Sequence, residues 1–132
     1  MCNTLLLDIV QYFVSLGLAE DDGVDCFRDF SPEDPDDVIV LYEYGSSAPT
    51  SFDALVKRSV QITTRSRDPD VAREKAIKLY NSLKTYDQAN RIDFTSSSWG
   101  QVTLRNAPFK IKIDENDRFV YGFNVGIATT VY

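Results

Sequence analysis

The chain has no histidine among its 132 residues. Histidine is the side chain whose ordinary pKa suits proton transfer near neutral pH, so Ser–His and Cys–His nucleophile pairs are excluded at once. There are two cysteines, and without histidine they fall short of the usual four-ligand zinc set. Phosphate-binding glycine patterns of the GxGxxG kind are also missing. No apolar run approaches the roughly 20 residues that span a bilayer. The opening "MCNTLLLDIVQYFVSLG" is interrupted by Asp8 and lacks both a basic start and a small-residue cleavage site, so it is expected not to be a signal peptide. Synthesis in the cytoplasm is then expected, with Cys2 and Cys26 as free thiols.

Basic residues are scarce in one half only. Residues 1–55 hold 12 acids and one base, Arg28 (net −11), whereas residues 56–132 hold 8 acids and 13 bases (net +5), giving the overall charge of −6. A negative total argues against general nucleic-acid binding, which needs clustered Lys and Arg on phosphates. Two solvated faces of opposite sign give such an asymmetry. So does a subunit whose acidic part meets the basic part of the next, a head-to-tail contact that closes into a ring when the rotation permits.

What the chain does contain is a set of well-marked elements. Leu6, Ile9, Val10, Phe13 and Leu16 recur at helical spacing, and Thr4 is placed to cap a first helix over Leu5 to Leu16. Gly17 supplies a left-handed stop, after which Leu18 folds back on the last turn. "VDCFRDF" (24–30) reads as a short strand, "SPEDPDD" (31–37) as a loop, "VIVLYEY" (38–44) as a central strand and "GSSAPTS" (45–51) as a flexible loop. In "RSVQITTRSRDPDVAREKAIKLYNSL" (58–83), Val60, Ile62 and Thr64 point one way from a strand and Gln61, Thr63 and Arg65 the other. Asp68 then stands at an N-cap, Pro69 at the first helical position and Asp70 in the first turn, which sets a second helix over Pro69 to Leu83.

The last third is read as strands. "GQVTLRN" (100–106) puts Val102 and Leu104 inward; "FKIKI" (109–113) puts Phe109, Ile111 and Ile113 inward and Lys110 and Lys112 outward. "DEND" (114–117) makes a hairpin turn in which Asn116 tolerates positive φ, and a long strand follows from Arg118. The fold class is therefore α+β: a two-layer domain over residues 1–132, with a mainly antiparallel or mixed sheet and two helices packed on one face. The other face, carrying Gln61, Thr63, Arg65, Thr103, Arg105, Lys110 and Lys112, is expected to be polar and mildly basic.

Little of this supports chemistry. "TSSSWG" (95–100) lacks the GxSxG elbow of a nucleophilic serine, and Cys26 lacks a base. Neither "DENDRFVYG" nor "EDPDD" places the glycine and glutamate that a calcium loop needs. No catalytic group, metal or cofactor is expected.

Three stretches, in order, carry a resemblance: residues 58–83, "PEDPDDVIVLYEYGS" (32–46) and "APFKIKIDENDRFVYGFNVGIAT" (107–129). Together they resemble the small minor capsid proteins of long-tailed bacteriophages, related to tail terminator or tail completion proteins, over residues 3–130. The family often places glycine in the turn where this chain has Asn116-Asp117, a departure that touches turn geometry. The resemblance implies a small α/β subunit of the virion that forms a ring, usually a hexamer, at the head-proximal end of the tail. It implies the tail-tube protein and head connector or stopper proteins as partners; from the charge and the apolar runs, no membrane and no sequence-specific nucleic acid are expected beside them.

Within that reading the expected subunit contacts are Arg65 and Arg67 of one copy against Asp34, Asp36 and Asp37 of the next, with Phe52 as the apolar anchor. Reversing both arginines is then expected to weaken assembly and spare the fold. Two alternatives stand beside it. One is a head-completion or connector-stopper protein of the same virion. The other, of a different class, is a small-molecule-binding α+β domain, marked by a cavity lined by Tyr42, Tyr44 and Trp99.

Overall fold

The computed structural model describes residues 5–33, 35–47, 56–84, 91–93 and 99–129; the expectations for Cys2, Thr4, Asp34, Phe52 and residues 94–98 lie outside them. In chain order the elements are α1 (Leu5–Ser15), β1 (Cys26–Arg28), β2 (Val38–Ser47), β3 (Val56–Ser66), α2 (Pro69–Leu83), β4 (Arg91–Asp93), β5 (Trp99–Leu104), β6 (Phe109–Ile113) and β7 (Phe119–Thr129).

Alternation in β3 and β7 builds the two layers. Val60 and Ile62 of β3 and Phe123, Val125 and Ile127 of β7 turn their side chains to one face, where Ile39 and Leu41 of β2 join them. Both helices cover that face. Leu5, Leu6, Ile9, Val10 and Phe13 come from α1, and Leu79 and Leu83 from α2. The small side chains Ala72 and Ala76 are buried, which brings α2 close enough for the Thr64 hydroxyl to donate to the Ala72 carbonyl at 2.6 Å. The Tyr12 hydroxyl donates to the Ser82 carbonyl at 2.7 Å and ties the helices together.

Helix ends follow local chemistry. Asp68 caps α2, its carboxylate accepting from the Asp70 N–H at 2.9 Å, and Pro69 opens the helix. At the end of α1 the Gly17 N–H donates to the Val14 carbonyl and the Leu18 N–H to the Phe13 carbonyl, with Gly17 at φ +75°. That pairing closes the helix and folds Leu18 back onto the core. Leu16, expected in the apolar stripe, is instead 50% exposed, because the helix stops at Ser15 and the turn carries Leu16 outward.

The strands pair in the order β1-β2-β3-β7-β5-β4, with β6 also on β7. Every named pair is antiparallel except β1 with β2, which is parallel. The sheet is thus mixed and mainly antiparallel, with both helices on one face: an α+β fold. β5 and β6 share one edge of β7, β5 pairing with 125–128 and β6 with 119–122. The break between them is bridged by the Asn106 side-chain oxygen, which accepts the Asn124 N–H at 2.9 Å.

Several sequence expectations need correction. β2 runs on to Ser47 through residues expected to be loop, and its register on β3 slips between Glu43 and Ser46 by one extra residue. β4 was not expected at all. In β6 the register slips between Lys110 and Lys112, which breaks the strict alternation read from "FKIKI". Ile111 settles over Gly122, where an added Cβ would lie 2.9 Å from Ile111 Cδ1 and 2.6 Å from the Ile62 carbonyl oxygen. Phe109 and Ile113, expected inside, are exposed. At the following turn the positive φ belongs to Asp117, at 59°, and not to Asn116.

Candidate functional site

Three arginines converge where β3 ends and β7 begins. Arg65 and Val120 are register partners, as are Ser66 and Phe119, so Arg65, Arg67 and Arg118 lie at the same end of the sheet. Ser31, Glu33, Pro35 and Asp36, which precede β2, lie against that end.

Arg65 is 5% exposed. Its Nε donates to the Asp36 carbonyl at 3.2 Å, one Nη to Ser31 Oγ at 2.9 Å and the other to the Pro35 carbonyl at 2.7 Å. Burial, and then the neighbouring Arg118, lower its pKa, yet a guanidinium stays charged throughout. Arg118 is equally buried. Its backbone N–H and Nε donate to the Asp114 carboxylate at 2.9 and 2.8 Å, and its Nη1 reaches the Glu33 carbonyl and Asp36 Oδ1. Arg67 lies outside, its side chain 61% exposed, with Nε on Asp36 Oδ2 at 2.7 Å and Nη1 on the Asn116 carbonyl at 3.2 Å.

The electrostatics fit the geometry. The bond from Arg67 holds the Asp36 carboxyl below its usual range, and the charge of Arg118 assists. Burial pushes the Asp114 carboxyl up, but the Arg118 N–H, the Arg118 guanidinium and the Asn116 N–H outweigh it and keep the group low. The result is a clasp. Glu33, Pro35 and Asp36 are held through their backbone carbonyls to β3 and to the hairpin that leads into β7.

Chemically the clasp binds its own chain. The arginine groups point at the Glu33, Pro35, Asp36 and Asn116 carbonyls and at the Asp36 and Asp114 carboxylates, which fixes surface position. Cys26 is buried, and burial first, with Asp25 and Asp22 beside it, pushes its thiol up to about 12, so it remains an unreactive thiol. Among the described residues no group of three or more metal-ligating side chains comes together, and no helix is long and apolar enough to cross a membrane.

Of the contacts expected across a subunit boundary, the structure brings Arg65, Arg67 and Asp36 together within one chain. Asp37 is exposed and lines a hollow of about 210 Å³ with Arg65 and Lys75. Arg118 was missed from the sequence. Its signal was the four-residue spacing from Asp114 across a turn, which lets one carboxylate take both the backbone and the side chain of the same arginine.

The open face is less uniformly polar than expected. Phe27, Val38 and Val40 form a small apolar cluster with Tyr42. Beside it a groove of about 310 Å³ runs between Tyr42, Gln61, Thr63, Ile111 and Lys112. Tyr44 is exposed, and the Trp99 side chain lies outside the described residues.

The comparison with protein families matches this chain to the bacteriophage tail terminator proteins over residues 14–131. No curated protein matches it. The match spans nearly all of the fold described above, and the chain belongs to the bacteriophage tail terminator protein family.

Proposed function

We propose that this chain is the subunit of a homo-oligomeric ring, a hexamer, at the head-proximal end of the phage tail. The ring ends tail-tube polymerisation and joins the tail to the connector or stopper proteins of the head. Its partners are copies of itself, the tail-tube protein and those head proteins, and its place is the head–tail junction of a virion assembled in the host cytoplasm.

The observation that carries this reading is the family match over residues 14–131. The geometry supports it physically. A protein whose work is contact needs surface segments held in fixed positions, and the clasp holds Ser31, Glu33, Pro35 and Asp36 with two buried arginines. In this reading Arg67 and Asp37 supply exposed charge at the rim of a subunit contact, Asp34 and Asp36 add acidic charge to it and Phe52 is its apolar anchor, while Arg65 acts by positioning the loop. Such rim charges set register and encounter rate more than affinity.

Electron microscopy of lysates from a phage with this gene disrupted tests the reading. Overlong tails beside separate filled heads are expected. Tails of normal length with unjoined heads would move the role to the connector side, and intact infectious virions would remove the structural role.

A further inference from the structure

One row of the sheet runs through Phe27, Val40, Thr63, Gly122 and Phe109, each paired with the next. It has β1 at one edge and β6 at the other. The two edges are opposite in charge. Residues 20–29, which include β1 and the segment before it, hold five acids and one base, whereas residues 99–113 hold three bases and no acid. The single base near β1, Arg28, is already paired with Asp22 at 2.9 Å, while Glu20, Asp21, Lys110 and Lys112 are exposed.

Both edges also present large apolar side chains to solvent. Val24 and Phe30 are 50% and 58% exposed near β1, and Phe109 and Ile113 are 43% and 50% exposed on β6. Large apolar side chains exposed on an edge strand mark a surface for association. The lysines of β6 discourage pairing with another copy of itself, since like charges would meet, and favour an acidic partner. The acidic, partly apolar surface that matches it is carried by the same chain.

We infer that the β6 edge of one copy docks against the β1 flank of the next, with Phe109 and Ile113 beside Val24 and Phe30, and Lys110 and Lys112 facing Glu20 and Asp21. This rests on the ring reading above and names the surfaces that would build it. The contact joins two different surfaces, so it is head-to-tail and repeats around a closed ring. It is made by side chains and not by a ladder running from subunit to subunit. The Cys26 carbonyl already accepts the Gly23 N–H at 2.8 Å, and Asp22 bridges Cys26, which occupies part of the outer edge of β1.

Two variants reverse one edge each: Lys110→Glu with Lys112→Glu, and Glu20→Lys with Asp21→Lys. Circular dichroism first establishes that both fold. Each is then supplied, singly and together, to cells infected by phage with this gene disrupted, and infectious titre and tail length are read against the wild-type gene. Each variant alone is expected to lose infectious phage. The two together are expected to restore it, because the altered β6 edge of one meets the altered β1 flank of the other while the unaltered edges pair as before. Restoration by either variant alone overturns the inference, and so does failure of the pair. If the wild-type gene itself fails to restore, the terminator reading falls and this inference with it. Independently, Phe30→Cys combined with Phe109→Cys is expected to yield covalent multimers on oxidation of assembled virions, with the wild-type protein as control; monomer alone contradicts the contact.

Discussion

On the covered face of the sheet, Phe123, Val125 and Ile127 pack against Leu79 and Leu83, and the Tyr80 ring meets Phe123 edge-on with centroids 5.4 Å apart. At the open end, Arg65 and Arg118 reach the backbone carbonyls of Glu33, Pro35 and Asp36. One region is held by apolar area removed from water, which has no direction. The other is held by directed, charge-assisted bonds, each of which needs its partner in place. The first tolerates small changes of shape and sets stability. The second fixes where a surface loop stands, which is what an assembly subunit requires.

Four experiments test whether the two regions differ in this way. The largest effect is expected from Phe123→Ala, which leaves a cavity under both helices and should cost about 4 kcal/mol. It should appear as a lower urea midpoint at unchanged slope. Arg118→Met should cost about 3 kcal/mol, because it strands the Asp114 carboxylate and the Glu33 carbonyl without their donor. A loss similar to that of an ordinary surface substitution would show that the clasp does not hold the loop. Asp68→Ala, which removes the cap of α2, should cost about 1 kcal/mol by the same titration.

The smallest effect is the pH dependence. Asp36 and Asp114 are both held below their usual pKa in the folded chain. Their contribution is therefore present above the unfolded carboxylate value of about 3.9 and is lost as pH falls through their lower folded values. Thermal melts from pH 7 down to strongly acid conditions should fall less steeply for Asp114→Asn than for the wild type. Equal slopes would remove Asp114 from the acid response.

The covered face was legible in the sequence because its rules are local. Val60 and Ile62 alternate within one strand, and Asp68, Pro69 and Asp70 stand within three residues of the helix they open. α2 accordingly has the bounds read from its caps. The open end was not legible, because its bonds join distant residues: Arg65 to Pro35, and Arg118 to Glu33. A charge count marks Arg65 and Arg67 as pairing groups but does not say whether the acid belongs to the same chain. The slip in β6 was equally hidden. "FKIKI" alternates perfectly, and only its pairing with β7, Lys110 with Tyr121 and Lys112 with Val120, reveals that Ile111 is the inserted residue. Charge reversal at Arg65, expected from sequence to spare the fold, is now expected to unfold the loop, whereas reversal at the exposed Arg67 should leave it in place.

The claim that the protein ends tail growth is tested most directly by adding it, purified, to polymerising tail-tube protein and measuring tube length against time. The account predicts that tubes stop lengthening once the protein is present and that it is found at one end of each tube. Tubes that lengthen at the same rate with or without it, or protein spread along their walls, would contradict the account.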